Sequence, residues 1–158
     1  MNRILSGALA LLFLAAPIAA SAQDVFTLGM LEISGGFSRA TLPNAPVGAG
    51  YLTITNKGAE DDTLVSASSP IAGKTQIHEM KMEGDVMKMN EVEGGLVIPA
   101  GQSVMLAPGS FHIMFMDLKE PLVENAMVPV TLTFEKAGPI EIQLVVGSVN
   151  ADEPEHNM

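Results

Sequence analysis

The chain has 158 residues, 8 Lys+Arg against 18 Asp+Glu, eleven methionines, three histidines and no cysteine. The acidic excess argues against nucleic acid or an anionic membrane surface as a partner and is compatible with attracting cations. The missing thiol excludes a disulfide framework, a cysteine nucleophile, thiol redox chemistry and a blue-copper electron-transfer centre.

The N-terminus, MNRILSGALALLFLAAPIAASAQ, has the parts of a secretory signal. Arg3 is the positive n-region, Ile4 to Ala16 the apolar h-region, and Ala20-Ser21-Ala22 the small-residue cleavage site. A membrane anchor is the competing interpretation, since the uncharged run is nearly long enough to span. Cleavage after Ala22 is expected, giving an exported product with no stable membrane insertion and no cysteine at its N-terminus to carry a lipid. Removing residues 1–22 leaves 136 residues (158 − 22) and takes away only Arg3, so the mature balance is 7 − 18 = −11. That length suits one domain with its own core.

No sustained helical periodicity follows. Nine short β-rich runs recur between Gly, Pro, Asn and Asp punctuation: 25–33, 51–56, 63–69, 75–82, 86–92, 103–107, 111–118, 128–135 and 140–147. They predict a single all-β domain over residues 23–148, an antiparallel sandwich or barrel of Greek-key type. Residues 149–158, VNADEPEHNM, lose the pattern and are expected to form a flexible acidic tail.

The stretch HEMKMEGDVMKM, residues 78–89, holds one histidine and four methionines. Glu83-Gly84-Asp85-Val86 has glycine at the first central position of a two-residue type II′ turn, which pairs Met82 with Met87 and Met80 with Met89. Alternation along the strands then puts His78, Met80, Met82, Met87 and Met89 on one face. The run FHIMFMDL splits in the same way. Phe111, Ile113 and Phe115 form a core face, while His112, Met114 and Met116 point the other way. Packing this His-Met-Met row against the methionine face of the hairpin would gather two histidines and several thioethers.

All three histidines are followed two residues later by methionine: His78/Met80, His112/Met114 and His156/Met158. Thioether and imidazole are soft to borderline neutral donors that suit Cu(I), disfavour hard cations, and differ from the Cys, His and carboxylate sets typical of zinc. The bland alternative is a pair of surface histidines beside a methionine-filled core.

At these residues the chain resembles the periplasmic copper chaperones of the PCu(A)C family. Their signature is a His, ten residues, a Met, about twenty-one residues, then His-x-Met. Here ten residues separate His78 from Met89, and twenty-two separate Met89 from His112-Ile113-Met114. The blocks GAGYLTITNKG, DTLVSASSPIAGKTQIHEM, IPAGQSVMLAPGSFHIMFMDLK and VTLTFEKAG also look like family blocks. Two positions depart from the pattern, Phe37-Ser38-Arg39 and Pro108-Gly109-Ser110, and neither touches a signature residue.

The resemblance implies a cupredoxin-like Greek-key β-sandwich in the periplasm, with Cu(I) ligands His78, Met89, His112 and Met114. It also implies a binding and transfer protein rather than an enzyme. The acceptor would be a copper site such as the copper subunit of cytochrome c oxidase or a Sco-type assembly protein. Met80, Met82, Met87 and Met116 would be hydrophobic cover for the metal, or else substitute ligands. His156 and Met158 resemble tails that some members carry, implying a weaker second site tolerant of Cu(II); an incidental histidine in an acidic tail explains them equally well. The rival from another class is a non-catalytic exported β-sandwich adaptor with a Met-rich core and no metal.

Overall fold

The computed structural model describes residues 24–155; residues 1–23, with the expected signal segment, and the tail residues His156 to Met158 lie outside the described residues. Eleven strands follow in chain order: β1 (Phe26–Leu28), β2 (Leu31–Arg39), β3 (Val47–Asn56), β4 (Asp62–Ser68), β5 (Ala72–Glu83), β6 (Val86–Glu91), β7 (Leu96–Ile98), β8 (Ser103–Leu106), β9 (Phe111–Leu118), β10 (Met127–Phe134) and β11 (Gly138–Gly147). No helix occurs among the described residues, so the all-β expectation holds.

The strands run β6–β5–β9–β3–β2–β11–β10–β4–β7, with β1 added on β2 and β8 on β3. The chain crosses repeatedly between the two halves of this path, from β3 to β4, β6 to β7 and β9 to β10. All pairings are antiparallel except one. Strands β2 and β11 pair in parallel over Phe37–Arg39 and Val145–Gly147, which corrects the purely antiparallel expectation. These strands are far apart in sequence and joined by no hairpin, so no tight turn imposes a direction on them.

Strand β4 packs beside β5 without pairing to it. Leu52, Ile54, Leu64, Ile113, Phe115, Leu132, Phe134, Ile142 and Leu144 fill the space between the halves, each at most 1% exposed. Burying Phe115 or Phe134 stabilises the fold by about 2–3 kcal/mol each. No methionine among the described residues is buried. The core is built of Leu, Ile, Val and Phe, so a Met-filled core does not explain this composition.

Three boundaries differ from the sequence expectation. The run 25–33 is not one strand: Gly29-Met30 turns the chain back, pairing Leu28 with Leu31 and Phe26 with Ile33. Strand β2 continues to Arg39 through a register shift between Ser34 and Phe37. Strand β7, absent from the nine runs, pairs with β4.

The tail differs as well. Residues 149–155 form no strand, but they are not free. Ala151 is 2% exposed and packs with Phe37 and Tyr51. Arg39 donates to Ala151 O from Nε at 2.7 Å and to Asp152 Oδ1 from Nη2 at 2.7 Å. Glu155 accepts from Ser148 N and Oγ. The expected flexible tail is therefore pinned at least as far as Glu155.

Candidate metal centre

The hairpin forms in the register its turn chemistry dictates. Gly84 has φ +65°, the sign a type II′ turn requires at its first central residue. Glu83 pairs with Val86, Met82 with Met87, Met80 with Met89 and His78 with Glu91. On its other side β5 pairs with β9, setting His78 directly opposite His112 and Gln76 opposite Met114. The His-Met-Met row of β9 thus joins the hairpin's methionine face sideways, as a neighbour in one sheet, rather than by stacking of two faces. On β9 the expected split holds: Ile113 and Phe115 are in the core, and His112, Met114 and Met116 are on the opposite face.

One row of this face reads Glu91, His78, His112 across β6, β5 and β9. Met80 and Met89 lie one row toward the hairpin tip, and Gln76 and Met114 one row away from it. Met82 and Met87 form the next row out, while Met116 and Lys74 lie farther inward.

The imidazoles are 5.8 Å apart between centroids. Two imidazoles that share an ion at about 2 Å from each nitrogen have centroids no more than about 6.5 Å apart, so this pair can hold one ion. His112 is 3% exposed and His78 half-buried.

The hydrogen bonds decide which nitrogens are free. His112 Nδ1 lies 3.1 Å from Ser110 O, an acceptor, so Nδ1 carries the proton and donates. His78 Nε2 likewise donates to Gln76 Oε1 at 3.0 Å. That leaves His112 Nε2 and His78 Nδ1 with bare lone pairs, and both are buried without a partner. An orphaned buried acceptor costs about 1–3 kcal/mol, and two side by side call for a water or an ion to meet them. Fixing one ring nitrogen so that the other faces the ion is how outer groups orient histidine ligands. Burial pushes the His78 imidazole below its usual value, as do the neighbouring His112 and Lys74; Glu91 opposes them. The ring therefore keeps its lone pair at neutral pH.

Among the described residues no three His, Cys, Asp or Glu side chains gather into a metal-holding group. An ion on this histidine pair would complete its shell from thioethers. A pocket of about 310 Å³ is lined by His112, Met114, Met80, Met89, Tyr51 and Arg39, among others, and His78 does not line it. Both Met89 and Met114 of the expected set reach it, and so does Met80. Met82 and Met87 do not, and at 59% and 46% exposure they are not a closed cover. His156 and Met158 lie outside the described residues.

Tyr51, Gln76 and Glu91 were not singled out from sequence, and Arg39 and Ser110 were named only as departures expected to touch no ligand, which the Ser110 O contact with His112 Nδ1 corrects. Glu91 follows from the hairpin register once His78 is chosen. Tyr51 stands 6.5 Å from His112 and 5.0 Å from Phe37 between ring centroids, with the Arg39 guanidinium 5.8 Å above its ring. Burial pushes the Tyr51 hydroxyl up; the Arg39 charge opposes this and Asp152 adds to it. The phenol is thus a neutral wall on one side of the pair.

This β-sandwich with a His/Met face is the PCuAC type of fold. It superposes on the apo PCuAC domain from PmoF1 with a TM-score of 0.68 at 25% identity, covering 79% of this chain and 99% of that one. It superposes on the solution structure of CuI-DR1885 from Deinococcus radiodurans with a TM-score of 0.62 at 26% identity, covering 82% and 83%. By sequence, residues 31–146 match the family described as "Putative lipoprotein LpqE-like", and the chain belongs to that family. It is 38% identical over 86 residues to "Putative lipoprotein Lxx21020" of Leifsonia xyli subsp. xyli, a match spanning 54% of this chain and about half, 52%, of that protein.

Proposed function

We propose that the protein is a Cu(I) carrier that binds one ion between His78 Nδ1 and His112 Nε2 and completes the shell with the thioethers of Met89 and Met114. The observation that carries this reading is the pair of buried, unpartnered ring nitrogens on adjacent strands, with methionines in the rows on either side. The likeness to a solved Cu(I) protein of the same fold supports it. The work is binding and transfer by ligand exchange, without turnover. Neutral donors suit this, because thioethers release an ion without taking up a proton. Following the family resemblance, the acceptor is an apo copper site such as that of cytochrome c oxidase or a Sco-type protein. Residues 1–22 act as an export signal, and the carrier works in the periplasm. The lipoprotein relatives support export, while these 158 residues offer no cysteine for a lipid.

The adaptor reading rested on methionines filling the core, and they do not. An anaerobic Cu(I) titration against a chelator of known affinity tests the proposal. One tight equivalent is expected, not displaced by stoichiometric zinc. Met89→Leu should weaken it far more than Met82→Leu, since both changes roughly conserve volume and only Met89 lines the pocket. Equal losses would move the ligand role to Met80, and absence of tight binding would end the proposal.

A further inference from the structure

The methionines of the hairpin form a block of two rows, Met80 opposite Met89 and Met82 opposite Met87, all on one face. The opposite face of the same ribbon carries Glu79, Lys81, Glu83, Val86, Lys88 and Asn90, with Lys88 and Glu83 ion-paired. Pairing with β9 ends at Glu79–Phe111, apart from the bond from Met80 N to Ser110 O. The outer row therefore overhangs the sandwich, and Met82 and Met87 stay exposed at 59% and 46%. They fill no core. Burial does not call for a thioether at Met82, Met87 or Met89, and of the four only Met80 is half-buried.

We propose that Met80, Met82, Met87 and Met89 form a second site, made only of thioethers, that takes a soft monovalent cation, Cu(I) or its analogue Ag(I), at the hairpin tip. Opposed residues on paired strands have Cβ atoms about 5 Å apart, and next-but-one residues on a strand about 7 Å. Methionine has three rotatable bonds beyond that, so four sulfurs can meet over the centre of the block. No carboxylate shares these two rows, so the block has nothing to attract a hard cation.

The inner row borders the histidine pair, and the block serves as its entry and exit point. In the transfer step the bonds from the ion to the Met80, Met82 and Met87 sulfurs break while bonds to His78 Nδ1, His112 Nε2 and the Met114 sulfur form, with Met89 held throughout. Each donor supplies a lone pair, the ion stays monovalent, and no proton or electron moves. This step rests on the histidine pair being the tight site; the tip site does not.

Ag(I) titration of the full chain, followed by NMR of 13C-labelled methionine methyl groups, separates the two. In the His78→Ala/His112→Ala variant, the Met82 and Met87 methyl signals should still shift and saturate with one equivalent. Adding Met82→Leu/Met87→Leu should weaken that binding about tenfold or more. In the chain with both histidines, the first ion engages Met89 and leaves Met80, Met82 and Met87 for the second, so Met82→Leu/Met87→Leu should leave the first equivalent intact and remove the second. Unmoved Met82 and Met87 signals in the double-histidine variant, or binding there that survives loss of both methionines, would overturn the tip site. A first equivalent in the unaltered chain that leaves both imidazoles unperturbed would instead overturn the histidine site.

Discussion

Strand β5 belongs to two different regions along its length. From Ala72 to Glu79 it is paired with β9, and Ile77 points into the core at 4% exposure. From Met80 outward its partner is β6, whose six residues are all exposed. The inner region is held by aliphatic and aromatic burial, and its methionines, Met114 and Met116, lie on the face away from the core. The outer one holds methionines and has little burial. The histidine pair sits where the two meet. Stability and the proposed metal binding are therefore drawn from largely separate residues, although a single strand carries both.

That separation can be attacked from either side. The largest effect should come from Phe115→Ala, one residue beyond Met114 but on the core face, where urea denaturation should register a loss of about 3–5 kcal/mol. His78→Ala should do the opposite. Cu(I) affinity should drop by about 100-fold, while stability changes by less than about 1 kcal/mol, because the ring that is lost is only half-buried and takes an unmet polar atom with it. A large stability loss from His78→Ala would break the comparison.

Asp62 probes the sandwich far from the copper face. Its Oδ1 accepts from Thr63 N at 2.8 Å and Lys136 N at 2.9 Å, and its Oδ2 accepts from Ala137 N at 3.0 Å. Burial raises its pKa, but these bonds and the Lys136 charge outweigh burial and hold it below the ordinary 3.8. Since the folded value is the lower, the carboxylate stabilises the fold fully above pH 3.8 and loses that contribution as pH falls through the folded value. Asp62→Asn should cost about 1–3 kcal/mol at pH 7, a gap that closes only in acid below 3.8, with Cu(I) affinity at pH 7 unaffected. The smallest effect is at the end of the chain. Truncation after Glu155 should change neither Tm nor the tight Cu(I) affinity, while a cut after Val149 frees Arg39 and should lower stability by about 1 kcal/mol.

The local geometry of the site was legible in sequence because alternation and one glycine turn determine it. Given Gly84 at the turn, the whole register of the hairpin follows, and the Phe-Ile-Phe row of β9 determines where His112 points. Strand order is another matter. Nothing in the 33 residues between Ile77 and Phe111 announces that β5 and β9 lie side by side, so the two methionine rows were expected to face each other instead. Glycines misled twice, in opposite directions. Gly29-Met30 is the same two-residue turn as Gly84-Asp85 and was passed over inside a β-rich run. Gly35 and Gly36 read as a break, yet β2 continues through them with a shift in register, and a Cβ on Gly36 would come within 2.9 Å of Leu144 Cδ2. The pinned tail depends on a contact between Arg39 and Asp152, 113 residues apart, and a single pair at that separation leaves no periodic trace.

The parallel junction of β2 with β11 bears on how the chain comes to be folded. Among the described residues it is the only pairing that joins the two halves of the strand path, and it consists of three residue pairs. One partner is among the first strands of the described residues and the other is the last. During synthesis the halves cannot be joined until nearly all of the polypeptide has emerged, and before then β2 and β10 each lack a neighbour. Contacts of such long sequence separation make folding slow. A chain that stays open until its final strand arrives is also one that can be threaded through a narrow export channel before it closes.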